Sequence, residues 1–218
     1  DFLSYLACDG TGSNVMIIVS RIALDPDSFA NYVWYSVDGG VSANLKSVLT
    51  LNYGAVNCAT MAKDAPLYCF AGTLGRNDNG GAIFASSDGG ATWATSELPG
   101  IQAGEKVFTV SCTPDGQTVY VGCFGGKMYK STDAGINFTQ INQGITTRQI
   151  RGSVVSRDGK MIAFTNQDGD YIRSFDSGAT FAYTAGIGQS KLLGLSVNSS
   201  DDAMMMLGGT GNVYISEL

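Results

Sequence analysis

Four serine–aspartate pairs are the residues whose types and spacing could do chemistry: Ser36/Asp38, Ser86/Asp88, Ser131/Asp133 and Ser174/Asp176. They stand in polar, glycine-rich stretches, "SVDGG" (36–40), "SSDGGATW" (86–93), "STDAGINF" (131–138) and "SFDSGATF" (174–181). A carboxylate placed there can act on a substrate, or it can accept backbone N–H bonds and lock a turn. The chain contains no histidine, which removes Ser-His-Asp and Cys-His nucleophile systems and histidine-based metal sites. Its five cysteines, Cys8, Cys58, Cys69, Cys112 and Cys123, lack C-x-x-C spacing. There is no phosphate-binding loop and no dinucleotide fingerprint. No metal and no cofactor are therefore expected.

The spacing of the pairs points to architecture. The aspartates recur at intervals of 50, 45 and 43 residues, and one more step falls just beyond Leu218. The final "GNVYISEL" matches the approach to the pair in "GAIFASSD" (81–88), "GKMYKSTD" (126–133) and "GDYIRSFD" (169–176). Five units follow, the fifth ending where its turn would stand. Each unit has one internal order: a short apolar strand ("FTVSC", 108–112), a turn ("TPDGQ", 113–117), a strongly apolar strand ("TVYVGC", 118–123), a glycine turn, a third strand ("KMYKS") and, after the Ser–Asp turn, a polar fourth strand ("NFTQIN", 137–142). Four antiparallel strands in each repeat of roughly 45 residues are the pattern of a β-propeller blade. A lone four-stranded sheet cannot bury both faces, whereas neighbours in a ring cover each other, so the most apolar second strand is expected at the centre.

The four stretches resemble the Asp-box, or BNR repeat, S-x-D-x-G-x-[TN]-[WF], of sialidases, sortilin-type receptors and related propellers. Three copies match closely: Ser86/Asp88/Gly90/Thr92/Trp93, Ser131/Asp133/Gly135/Phe138 and Ser174/Asp176/Gly178/Thr180/Phe181. The first, Ser36/Asp38/Gly40, has Ala43 in place of the aromatic. The resemblance implies an all-β, five-bladed propeller with blades at approximately 1–50, 51–103, 104–148, 149–191 and 192–218, the last one incomplete. It places each box between the third and fourth strands, on the rim, as a structural lock. The glycine two residues after the aspartate is expected at positive φ. The aromatic is expected to start the fourth strand and to pack into its own blade or the neighbouring one.

An Asp-box also raises a sialidase-like glycoside hydrolase. The resemblance then implies six blades, three arginines on the substrate carboxylate, a Tyr/Glu nucleophile pair and an aspartate acid/base. "SRIA" (20–23) is a poor echo of the arginine motif, and the three glutamates are Glu97, Glu105 and Glu217. Glu97 and Glu105 are expected in an inter-blade loop, and none is placed beside a tyrosine as that family places it. A hydrolase of the common two-carboxylate kind also needs a pair facing across a cleft, and most aspartates here belong to turns. The leading expectation is a non-catalytic recognition or assembly module for a glycan or a protein partner, with a divergent hydrolase as the alternative.

Ligand residues are expected on the loops leading into each first strand, 51–55, 100–106, 143–149 and 185–191. Tyr53, Lys106, Arg148, Arg151, Gln189 and Lys191 are the candidates there, either as an anion or glycan site or as ordinary solvated charge. The insertion "LGRNDNGGA" (74–82) is a further contact candidate. The net charge of −6 and scattered basic residues disfavour nucleic acid, and no apolar run is long enough to span a bilayer. The start at Asp1 fits a processed protein or an excised domain, and the truncated fifth unit suggests an open edge inside a larger assembly or longer chain. Asn137 (N-F-T) and Asn198 (N-S-S) are glycosylation sequons, a weak pointer to a secreted protein. Cys58 and Cys69 flank an expected turn at Lys63-Asp64, so they are either a cross-strand bridge or buried free thiols.

Overall fold

The computed structural model describes residues 2–22, 29–50, 52–76, 78–141, 144–186, 192–197, 203–208 and 213–217. The described chain is all-β apart from a 3₁₀ turn at Phe124–Gly126. Sheet one holds β1 (Phe2–Cys8), β2 (Val15–Ile22), β3 (Phe29–Ser36) and β4 (Asn44–Thr50). Sheet two holds β5 (Val56–Met61), β6 (Cys69–Thr73), β7 (Ala82–Ser86) and β8 (Ala94–Glu97). Sheet three holds β9 (Val107–Cys112), β10 (Val119–Cys123), β11 (Met128–Ser131) and β12 (Thr139–Gln140), and sheet four β13 (Ile150–Val155), β14 (Ile162–Asn166), β15 (Tyr171–Ser174) and β16 (Ala182–Thr184). Sheet five comprises β17 (Leu192–Val197), β18 (Ala203–Gly208) and β19 (Val213–Glu217). Every sheet is an antiparallel meander in chain order.

Successive sheets pack with their first strands adjacent, β1 on β5, β5 on β9, β9 on β13 and β13 on β17. Valine, isoleucine and aromatics supply these strands, residues that suit a pleated buried surface. In sheets two, three and four, every residue of the second strand is buried, because a neighbour covers each face. Gly72 and Gly122 on those strands permit close approach: a Cβ at either would lie 2.4 Å from Val107 or 2.3 Å from Ile150 of the following sheet.

The structure corrects five expectations. In the β5–β6 ladder Cys58 lies opposite Gly72 and Cys69 opposite Met61, so the two thiols do not meet and both are free. The unpaired Asn57 shifts the register, and the connection is longer than a tight turn at 63–64. Glu97 closes β8 instead of lying in a loop, and the fourth strand expected over 137–142 shortens to Thr139–Gln140. The box aromatics Trp93, Phe138 and Phe181 do not start the fourth strands; each stands one residue before β8, β12 or β16, still within the turn. Cys58, Cys69 and Cys123 are buried as free thiols, while Cys8 is exposed.

Candidate functional site

The strand order gives the sheets two chemically different ends. One end carries the turns between first and second strands together with the Ser–Asp turns; the other carries the lead-in loops and the loops between second and third strands.

At the turn end, all four Ser–Asp motifs share one bond set. The serine hydroxyl donates to the aspartate at 2.6, 2.8, 2.7 and 2.6 Å in Ser36/Asp38, Ser86/Asp88, Ser131/Asp133 and Ser174/Asp176. It also accepts the N–H of Gly40, Gly90, Gly135 and Gly178 at 2.8–3.0 Å. The second carboxylate oxygen takes the side chain four residues on: Ser42, Thr92 and Thr180 by their hydroxyls at 2.6 Å, and Asn137 by its amide at 2.7 Å. The first copy is therefore complete in its polar bonds, with Ser42 at the Thr/Asn position. The Ser36 and Ser42 bonds hold Asp38 at a pKa of about 2, and the Asn137 N–H and the Ser131 hydroxyl do the same for Asp133. Asp176 is lowered further, by Ser174 and Thr180. The residue between aspartate and glycine is left-handed even where it is not glycine, with φ 55° at Ala134 and 57° at Ser177. Its N–H reaches the turn between the first and second strands of its own sheet in every copy: Gly39 to Ser13 O, Gly89 to Leu67 O, Ala134 to Gln117 O and Ser177 to Lys160 O.

The turns of sheets two, three and four also grip the preceding sheet. Ser47 of β4 donates to Gly90 O (2.6 Å), and Ser96 of β8 donates to Gly135 O (2.7 Å). On the turn of sheet four, Tyr120 and Lys130 of sheet three donate to Ser177 O at 3.1 and 2.7 Å. An added Cβ at Gly90 would meet Val33 at 2.9 Å, and one at Gly135 would meet Phe70 at 3.1 Å.

The three box aromatics do not share one burial. Phe138 is buried in the core spanning sheets two and three. Phe181 is half-buried at the edge of the core shared by sheets three and four, its ring tilted against Phe164 of its own sheet at 6.4 Å between centroids. Trp93 is also half-buried and donates its indole N–H to Gly90 O (3.0 Å). The aspartates are used to fold the turn, and the turn to fasten one sheet to the next.

At the lead-in end, each first strand of sheets two to five carries one residue skipped by its ladder: Asn57, Phe108, Arg151 and Leu193. Such a β-bulge re-aims a side chain. Asn57 accepts from Tyr5 of sheet one (3.2 Å) and donates to Val107 O of sheet three (2.8 Å). The Arg151 guanidinium stacks 4.0 Å from the Phe108 ring and donates to Gln149; burial lowers its pKa from 12.5. Arg148 pairs with Asp168 at 2.8 Å, with both side chains largely in solvent. Lys106 is exposed, and its carbonyl accepts the Phe124 N–H. A cleft of about 390 Å³ opens between Tyr53, Asp78, Asn79, Glu97, Gly100 and Ile101. Tyr53 donates to Glu97 (2.8 Å), and that bond, aided by burial, raises the phenol's pKa. The sequence reading set no glutamate beside a tyrosine in the manner of the sialidases and did not foresee this Tyr–Glu contact, which joins residues 44 apart in the chain.

The candidate residues thus fall into separate groups, Tyr53 in the cleft and Arg148 and Arg151 on the lead-in side of sheet four; Gln189 and Lys191 lie outside the described residues, as does Asn198. Asn57, Phe108 and the fastening Ser47 and Ser96 were not singled out. The bulge residues break the period-two pattern, which was the available signal, and nothing local distinguishes the serines. Among the described residues, no three of His, Cys, Asp and Glu cluster as a metal site, and no helix is long and apolar enough to cross a membrane.

No protein-family model and no curated protein matches the chain. Solved structures do. The GH74 enzyme of Niastella koreensis superposes with a TM-score of 0.70 at 20% identity, over 93% of this chain and 33% of that one. Sqt1 of Chaetomium thermophilum superposes with a TM-score of 0.67 at 16% identity, over 98% of this chain and 57% of its own. Sqt1 bound to the N-terminus of ribosomal protein L10 gives the same score and identity, over 60% of its chain. The chain thus spans between a third and three fifths of these structures, and what they share with it is a propeller-like fold.

Proposed function

We propose that residues 1–218 form one propeller-type recognition module of five repeats with Asp-box turns, bounded as the sequence units are, and that it holds a protein partner at the lead-in end. The observation that carries this is the division of labour between the ends. At the turn end, the Ser–Asp motifs are consumed in internal bonds repeated from sheet to sheet. At the other end, β-bulges take Phe108 and Arg151 out of the ladder and stack the guanidinium on the ring, on the side where the lead-in loops gather. A stacked Arg–aromatic pair is a usual binding anchor. The Sqt1 complex with a ribosomal-protein segment supports a protein ligand by analogy of fold. A secreted setting accords with the sequons at Asn137 and Asn198.

A glycan is the second reading, favoured by the cleft in which Tyr53, Asp78, Asn79 and Glu97 offer hydroxyl, amide and carboxylate groups. The Tyr53–Glu97 contact also bears on hydrolysis. A raised phenol pKa keeps Tyr53 protonated, which suits a hydrogen-bond donor better than a nucleophile.

The test is selection from a displayed peptide library alongside a glycan array. Phe108→Ala and Arg151→Ala should each weaken a selected peptide about tenfold or more, the scale of losing a stacked cation and its bond. Ile136→Ser, at the turn end, should leave binding unchanged. Turnover of a fluorogenic glycoside that disappears in Glu97→Gln would overturn the non-catalytic reading.

A further inference from the structure

Arg151 is a half-buried cation that faces no anion. Lys127, the half-buried cation of the loop after β10, has Glu105. Arg151 pairs with no carboxylate among the described residues. Its guanidinium carries several N–H donors, of which Nη2 donates to Gln149 Oε1. Its Nε is buried without a hydrogen-bond partner. Burial alone lowers its pKa from 12.5, with no carboxylate close enough to offset the shift. The carboxylates of the neighbouring turn are already used: Asp168 holds Arg148, and Asp170 accepts from Asn166, Tyr183 and the Gly186 N–H. A charge drawn out of water is costly unless it is paired and hydrogen-bonded, so Arg151 is a cation prepared for an anion from outside the sheet.

The groups around it are fixed and rich in donors. Phe108 and Arg151 are the bulge residues of β9 and β13, and just beyond them Thr109 and Ser153 join the two strands by a hydroxyl–hydroxyl bond of 2.7 Å. The Gln149 carbonyl accepts the Gln167 N–H at 3.0 Å, which holds its backbone. With its Oε1 taken by Arg151, the Gln149 side chain has its NH2 left to donate. Lys106, exposed two residues before Phe108, adds positive charge. We propose that Arg151 and Gln149, backed by the Phe108 ring, bind a carboxylate of the partner peptide, either an Asp or Glu side chain or the C-terminus. This rests on the reading of the lead-in end as the peptide site and names the chemistry that it takes. A planar carboxylate matches a stacked guanidinium. A phosphate dianion calls for a cluster of arginines, whereas one half-buried guanidinium stands here in a chain of net charge −6.

Isothermal titration of the 218-residue chain with a peptide selected from the displayed library tests this. The peptide is synthesised as selected, with each Asp or Glu replaced in turn by Asn or Gln, with its C-terminus amidated, and with phosphoserine in place of the anchoring acid. Removing one carboxylate should weaken binding about tenfold or more, and the form that weakens tells a side chain from the C-terminus. On Arg151→Gln, checked for its fold by far-UV circular dichroism, the same change in the peptide should cost less than about threefold. Arg151→Lys, which keeps the charge and loses the planar fork, should restore part of the affinity lost in Arg151→Gln. Binding that needs Phe108 but is indifferent to every carboxylate overturns this proposal and leaves the peptide reading of the lead-in end in place. An equal loss on the unaltered chain and on Arg151→Gln overturns it too, since the acid is then held elsewhere. Tighter binding of the phosphoserine form overturns the choice of a carboxylate. A library that yields no peptide, or one indifferent to Phe108→Ala, overturns the lead-in reading and this proposal with it.

Discussion

Replacing Gly135 by alanine separates the two jobs of the repeated turn. Gly135 has φ +81°, and an added Cβ would stand 3.1 Å from Phe70 and 3.2 Å from Ala85 of the preceding sheet. The left-handed backbone alone costs an L-residue about 1–2 kcal/mol. Both neighbours lie in a buried core, so crowding adds about 1–3 kcal/mol. The loss for Gly135→Ala should reach about 2–5 kcal/mol. Gly12 is the control, with φ +74° and nothing within 4 Å of its Cβ position. Gly12→Ala should lose only the backbone share, about 1–2 kcal/mol. Urea unfolding followed by far-UV circular dichroism gives both values, and melting points should differ by roughly 2–12 °C. Equal losses, within about 0.5 kcal/mol, would refute the claim that this turn is pressed against the sheet before it.

Ala134 already sits at φ 55°, so Ala134→Gly relieves strain that offsets the entropy of glycine; its urea midpoint should hold or rise, by up to about 1 kcal/mol of stability. Stability should fall as pH drops from about 4 towards about 2. Asp38 and Asp133 have folded pKa values of about 2, below the ordinary 3.8, so their stabilisation is complete above the unfolded value and lost on protonating the folded form. Urea midpoints at each pH check this, and Asp133→Asn should flatten part of the slope; with no histidine in the chain, no histidine titration should perturb stability between about pH 5 and 8. Burial pushes Cys58 and Cys69 up to about 12, so Ellman's reagent at about pH 8 should reach Cys8 quickly in dilute protein and these two only on unfolding.

Much of the fold was legible because it is written repeatedly. The interval between aspartates marks the sheets, and the apolar run "TVYVGC" marks a strand buried on both faces, since burial on both sides removes alternation. The turn chemistry was legible because Ser, Asp and Gly have narrow local roles. The aromatic that closes the box was legible as a packing residue, but its depth was not: Phe138 is buried and Phe181 half-buried, because depth is set by the neighbouring sheet and not by the motif. What was hidden lies between sheets. Ser96 reads as one serine among many until the fold carries it to Gly135 O, 39 residues away in sequence. Glu97 meets Tyr53 across 44 residues, a contact that depends on the register of β8. Arg151 and Phe108 were separated from ordinary strand residues by a one-residue bulge, whose sequence signal is a single break in the period-two alternation.

The most direct measurement of the fastening role is a double-mutant cycle between Phe70 and Gly135. Phe70→Leu removes the ring atoms nearest the added Cβ. Stabilities of Gly135→Ala, Phe70→Leu and the double variant should then be sub-additive, with Gly135→Ala costing at least about 1 kcal/mol less when Phe70 is leucine. Additivity within about 0.5 kcal/mol would show that the turn and the preceding sheet do not press on each other, and would contradict the account.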